Sequence, residues 1–165
     1  MAPSVLVNLF HRTAFILKGV YDEIVEGLRR ADFVCGDETP QPMLAPGTGK
    51  TARGWMWMAL CDTAIAYHFD VSRSTEAGKK LLGDSVRNMM ADGYSGYNGV
   101  VANRYACWSH ARRGIFEARE NWPAAQVILR DITALYRVEF DARLEDLSGE
   151  KLRDFRWARC RPILD

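Results

Sequence analysis

The sequence predicts an α/β protein in which a mixed β-sheet is covered by helices. Three observations carry this. The first thirty residues repeat apolar side chains at three- and four-residue steps. Short apolar runs then follow, two of them closing on an aspartate, and helical periodicity returns after residue 109. The order is helix, three strands, helix, two strands, then helices. Strands joined by tight connections pair antiparallel, whereas a strand reached through a helix lies parallel to its predecessor, so the sheet is mixed.

Residues 4–30 read as an amphipathic helix capped by Ser4. Leu6, Phe10, Thr13, Leu17, Val20, Ile24 and Leu28 form one stripe, and Arg29-Arg30 suit the negative end of the dipole. Ala31 to Gly36 is a short buried strand ending at Asp37. Residues 40–54, with Pro40, Pro42, Pro46, Gly47, Gly49 and Gly54, read as a loop or hairpin connection. Gly54 to Cys61 is a strand, Asp62-Thr63 a turn, and Ala64 to Val71 the returning strand. Ser74-Thr75-Glu76 caps a helix to about Arg87, with Leu81, Leu82 and Val86 inward. Asn88 to Ala91 is a strand ending at Asp92, and Tyr105 to Trp108 is the last strand. Ser109 opens a helix, and a longer one spans Asn121 to about Leu147, with Ile128, Ile132, Leu135, Tyr136, Phe140 and Leu144 on one side. Residues 148–165 are basic and helical as far as Pro162.

Composition narrows the function classes. Hydrophobic residues make up 48%, charged residues 26%, and the net charge is +1, which excludes an acidic disordered tail and a histone-like basic protein. Local basic patches still permit DNA binding. There is no apolar run of membrane-spanning length, and Met-Ala-Pro-Ser lacks the basic start of a signal peptide. Cys35, Cys61, Cys107 and Cys160 are scattered without a Cys-x-x-Cys pair, so a reduced, cytoplasmic protein with ordinary thiols is expected.

The two strand-end aspartates are the main chemical signal. If their strands are neighbours, Asp37 and Asp92 meet at one end of the sheet and offer the oxygen ligands that magnesium or manganese takes. Two such ions can serve phosphodiester cleavage. The same residues also suit simple turn capping. Gly47-Thr48-Gly49-Lys50-Thr51 is not a phosphate loop, because position 44, where that motif needs glycine, is Leu44. A hairpin tip with a DNA-facing Lys50 is expected instead. Cys107 and His110 alone are too few for a structural zinc site, although His110 follows the last strand and can line the active end. Glu38 points away from Asp37 and is not expected as a ligand. Arg112, Arg113, Arg153 and Arg156 are candidate phosphate contacts, and a solvated helix face explains the last two equally well.

Asp37-Glu38-Thr39-Pro40, Pro46-Gly47-x-Gly49-Lys50-Thr51 and Gly54-Trp55-x-Trp57 resemble the opening of the catalytic domain of insertion-sequence-66-type transposases. Ala91-Asp92-Gly93-Tyr94-x-Gly96-Tyr97-Asn98 resembles that family's second aspartate motif, and Cys107 to Arg113 with Phe116-Glu117 its next block. The resemblance covers roughly residues 5–165. It implies a ribonuclease-H-like fold and two aspartates plus a glutamate that bind magnesium or manganese for DNA cleavage and strand transfer. Asp37 and Asp92 match the first two acids. The third belongs to a downstream segment that has no match before Asp165, so a truncated or partial product is expected. The implied layout is an N-terminal helix (1–30), a partial ribonuclease-H-like core (31–120) and the start of a helical insertion (121–165).

Two rivals stay open beside this DDE-type reading. One is an inactive remnant that binds DNA or a full-length transposase; transposon-end DNA and other transposase subunits are the partners the resemblance implies. The other is a different metal nuclease of the same fold, with Glu117 completing the site. Apolar faces around Leu135 and Phe140 predict self-association.

Overall fold

In a computed structural model that describes residues 3–165, the chain follows the predicted order of elements. Helix α1 (Pro3–Arg30) leads into strands β1 (Phe33–Ala45), β2 (Lys50–Leu60) and β3 (Ile65–Asp70). Helix α2 (Thr75–Leu82), strand β4 (Asn88–Ala91), a 3-10 turn (Ser95–Tyr97) and strand β5 (Asn103–Ala106) follow. Helices α3 (Trp108–Ala118), α4 (Ala125–Leu144) and α5 (Gly149–Leu164) end the chain. The chain divides into two compact units, one reaching to Cys107 and one from Trp108 to Asp165.

In the first unit the sheet order is β3-β2-β1-β4-β5. The pairs β1/β2 and β2/β3 are antiparallel, whereas β1/β4 and β4/β5 are parallel. This is the mixed α/β sheet with flanking helices that the sequence predicts, and it is compatible with a ribonuclease-H-like fold. One face holds the core. Val25 and Leu28 from the end of α1 and Ala77, Leu81 and Leu82 from α2 pack with Val34, Trp57, Ala59, Ala66, Met89 and Ala91 of the sheet. Alternation along β1 leaves Val34, Gly36 and Glu38 on the buried side and Phe33, Cys35 and Asp37 on the other.

Several boundaries differ from the predicted ones. Residues 40–54 are not a loop: β1 runs on to Ala45 and β2 begins at Lys50, with Pro40 opposite Trp55 and Pro42 opposite Arg53. Prolines are tolerated there because β4 pairs β1 only from Phe33 to Cys35, so the strand beyond has a partner on one side only. Asp37 therefore sits within a long strand, not at its end. The turn is tight: Gly47 and Gly49 take φ of 81° and 64°, and the Thr48 hydroxyl donates to the Ala45 carbonyl at 2.7 Å. Helix α1 already includes Pro3, so Ser4 lies inside it. Helix α2 stops at Leu82 because Gly83 turns away at φ 64°, its N–H bonded to the Lys79 carbonyl. Ser74 precedes α2 without a side-chain cap; its carbonyl accepts the Ala77 N–H. The last strand lies two residues earlier than expected, and α3 starts at Trp108.

In the second unit α4 buries Ala125, Ile132, Leu135, Val138 and Ala142. Leu135 is thus covered, contrary to the uncovered face expected there, whereas Phe140 is 50% and Leu144 71% exposed. Helix α5 continues past Pro162 to Leu164, two residues beyond the expected stop. Arg156 holds α5 to α4 through paired bonds to Glu139 at 2.7 and 2.6 Å. No described helix is long and apolar enough to cross a membrane.

At the end of β3, buried Asp70 accepts from Lys80 Nζ at 2.6 Å and from the Ser72 N–H at 2.8 Å. The Lys80 bond and then the Ser72 N–H hold its carboxyl below its ordinary value of 3.8. The unfolded chain therefore takes up that proton first as pH falls. The stability Asp70 contributes is complete above pH 3.8 and is lost below it, through the lowered folded value. Urea midpoints measured from about pH 5 down to about pH 2 should fall less steeply in Lys80→Met than in the wild type. Equal slopes would show that Lys80 does not set the Asp70 acidity.

Candidate active site

The parallel register pairs Phe33 with Asn88, Val34 with Met89 and Cys35 with Met90. Continued two residues, it sets Asp37 level with Asp92 on the neighbouring strand. Level residues on adjacent strands point to the same face, so the two aspartates that the sequence singles out share one side of the sheet, Asp37 within β1 and Asp92 just past the end of β4. Both are half-buried. Asp37 Oδ1 accepts the Glu38 N–H at 2.9 Å, and Asp92 Oδ1 accepts the Tyr94 N–H at 2.9 Å. These local bonds orient each carboxylate. The β4/β5 register, continued past Ala91 and Ala106, brings Cys107 level with Asp92. Burial, then the neighbouring Cys107, pushes the Cys35 thiol up, which marks it as a packing residue rather than a nucleophile.

Sequence reasoning passed over a network beside these acids. Glu38 points to the buried side as expected, but it is not idle there: its side chain is 0% exposed. Its Oε1 accepts Arg73 Nε at 2.8 Å and also Arg73 Nη2, and its Oε2 accepts the Tyr97 hydroxyl. Arg73 Nη2 lies 4.0 Å from Asp92 Oδ2. The guanidinium is 4.6 Å from the Trp55 ring centroid and 3.7 Å from that of Tyr94, whose hydroxyl donates to the Arg73 carbonyl. Burial, then the bond to Glu38, raises the Tyr97 phenol far above its ordinary range, and Asp37 and Asp92 act in the same direction. Arg73 lies in a short polar segment between strand and helix. The only sequence signal for it was its place at the carboxyl end of the sheet.

The other candidates lie on other elements. Lys50 is exposed where β2 begins. His110, Arg112, Arg113 and Glu117 lie on α3, in the second unit; Arg112 sits 5.7 Å from the Phe116 ring and Glu117 is exposed. Arg153 pairs with Asp154 at 2.9 Å, and Arg156 is taken up by Glu139. Among the described residues, no group of three or more His, Cys, Asp or Glu side chains could hold a metal ion. Two carboxylates still fit one magnesium-like ion, which commonly uses one or two of them and fills its remaining positions with water and substrate phosphate.

A mixed sheet of this order, with two aspartates level on adjacent parallel strands, is compatible with a ribonuclease-H-like fold. The sequence model of the Transposase IS66 family matches residues 1–165, and the chain belongs to that family. It is 27% identical over 168 residues to the uncharacterized protein y4qI of Sinorhizobium fredii, covering 88% of this chain and 31% of that one. It is 26% identical over 174 residues to the uncharacterized protein y4jD of the same organism, covering 93% of this chain and 34% of that one. The chain thus spans about a third of the length of these curated relatives.

Proposed function

We propose that this chain carries the two-aspartate part of a DDE-type transposase catalytic domain, in which Asp37 and Asp92 hold magnesium or manganese for DNA cleavage and strand transfer. The observation that supports it most is the β1/β4 register, which runs on to bring the two aspartates level. A divalent cation there would offset the charge that develops on phosphodiester oxygens when water or a DNA 3′ hydroxyl attacks. The chain's own part is to fix the carboxylates: the Glu38 and Tyr94 N–H groups orient them. Lys50 at the hairpin tip and Arg112 and Arg113 on α3 would add phosphate contacts along transposon-end DNA without reading sequence. Arg153 is a further contact of the same kind, whereas Arg156, spent on Glu139, serves the helix pair first. His110 and Glu117 are proposed only as auxiliary groups of the second unit. Other transposase subunits would be the protein partners.

Titration calorimetry with manganese on the wild type and on Asp92→Asn tests this. The wild type should bind, and the substitution should weaken binding by at least about tenfold, the usual scale for disturbing a metal site. A folded wild type that takes up no manganese would overturn the metal reading and favour a remnant that binds DNA or other transposase subunits without cutting. The isosteric change keeps the Asx-type bond to the Tyr94 N–H, so loss of folding is not the expected outcome.

A further inference from the structure

We propose that Arg73 is a substrate-positioning residue, its guanidinium edge holding a DNA phosphate next to the Asp37–Asp92 pair; this rests on the nuclease-type reading of that pair. The geometry is that of a built anion contact. Glu38, fully buried, takes Nε and Nη2 from one edge of the guanidinium. Trp55 and Tyr94 lie near it at 4.6 and 3.7 Å. The Tyr94 hydroxyl pins the Arg73 carbonyl, so the backbone is held as well. Nη1 takes no hydrogen bond among the described residues, and the side chain keeps 35% of its surface open.

A simple counter-ion for Glu38 would need none of this orientation. The pair Glu38–Arg73 is neutral in sum, so it does not cancel the charge of Asp37 and Asp92. At 4.0 Å, Arg73 Nη2 is too far from Asp92 Oδ2 for a hydrogen bond. The two form a loose ion pair without a direct hydrogen bond, so the guanidinium keeps donor capacity for an oxygen ligand beside Asp92. A phosphodiester lying across the pair fits by chemistry: one oxygen would face the carboxylate-held cation and another the guanidinium, which matches phosphate geometry as an ammonium does not. The position agrees with the topology. Arg73 follows the carboxyl end of β3, which runs parallel to β1 and β4, so it joins the end of the sheet where ligands gather in open α/β folds.

The test uses the full chain and a fluorescent DNA duplex with a free 3′ hydroxyl. Anisotropy is read across a salt series, with manganese and with EDTA, alongside manganese calorimetry. Arg73→Gln should keep manganese affinity near the wild-type value and weaken DNA binding roughly tenfold, as loss of a charge-assisted bond does. Its salt slope should fall by about one phosphate contact. Arg73→Lys keeps the charge opposite Glu38, so it carries the test if Arg73→Gln fails to fold; it should bind DNA severalfold more weakly than the wild type. DNA affinity and salt slope unchanged in a folded variant would overturn the proposal. So would joint loss of manganese and DNA binding in folded Arg73→Lys, which would mean that Arg73 only shapes Asp92, or a wild type that binds no DNA. A wild type that binds DNA but no manganese would instead overturn the metal reading, while the salt slope in EDTA still decides the Arg73 contact.

Discussion

Trp57→Ala should lower the stability of the sheet unit by about 3–5 kcal/mol, the range for removing a large buried aromatic. Trp57 is 1% exposed. It projects from β2 into the core face, meets Tyr97 edge-on at 5.6 Å between ring centroids, and donates its indole N–H to the Ser72 carbonyl at 3.3 Å. Helix α2 approaches it through Gly78: a Cβ there would lie 3.3 Å from the Trp57 ring, so only glycine lets helix and indole meet this closely without adjustment. Alanine would leave a cavity under α2 that the surrounding sheet can fill only in part, and it would leave the Ser72 carbonyl without its donor. Against a typical net stability of about 5–15 kcal/mol, the loss is large. Urea unfolding followed by far-ultraviolet circular dichroism would read it as a lower midpoint with the slope unchanged. A midpoint equal to the wild type would contradict the burial of this residue. Trp57→Phe should fall between the two, because it keeps most of the apolar contact and loses the hydrogen bond.

The order of elements was legible because periodicity and turn chemistry act locally. The stripe from Leu6 to Leu28 and the apolar runs before Asp37 and Asp92 each imply their element without reference to the rest of the chain. The strand status of residues 40–45 was not legible, since Pro40 and Pro42 argue against a strand unless one knows that β4 leaves that side of β1 free. The pairing of Asp37 with Asp92 was legible only as a condition, that their strands be neighbours, and the sheet order meets that condition. The polar network was the least legible part. Nothing local connects Glu38, Arg73 and Tyr97, which lie far apart in sequence and meet only once α2 has brought the chain back across the sheet. The same limit explains Glu38: alternation correctly turned it away from Asp37, but a carboxylate facing the core needs partners that only the folded chain supplies.

That buried carboxylate sets up the second large effect. Glu38→Ala should cost about 3 kcal/mol, the low end for breaking a buried ion pair. The low end applies because Arg73 keeps 35% of its side chain exposed and can regain water, whereas the Tyr97 hydroxyl, on a side chain buried to 1%, cannot. Glu38→Gln retains an acceptor for Arg73 and should cost less. The network also gives a signature at high pH. Burial first, and then the bond to Glu38, keeps the Tyr97 phenol protonated well above its ordinary value of 10.0. The unfolded chain releases that proton near pH 10.0 while the folded chain retains it. Because the unfolded state then binds fewer protons, stability must fall as pH rises beyond that point. Urea midpoints measured from about pH 8 to about pH 11 should therefore decline in the wild type and decline less in Tyr97→Phe. Some slope should persist in that variant, since burial raises the Tyr21 phenol as well. Parallel declines in the two proteins would show that the Tyr97 hydroxyl is not sealed against Glu38. An undiminished stability of Glu38→Ala at neutral pH would go further, removing the anchor that holds Arg73 beside Asp92.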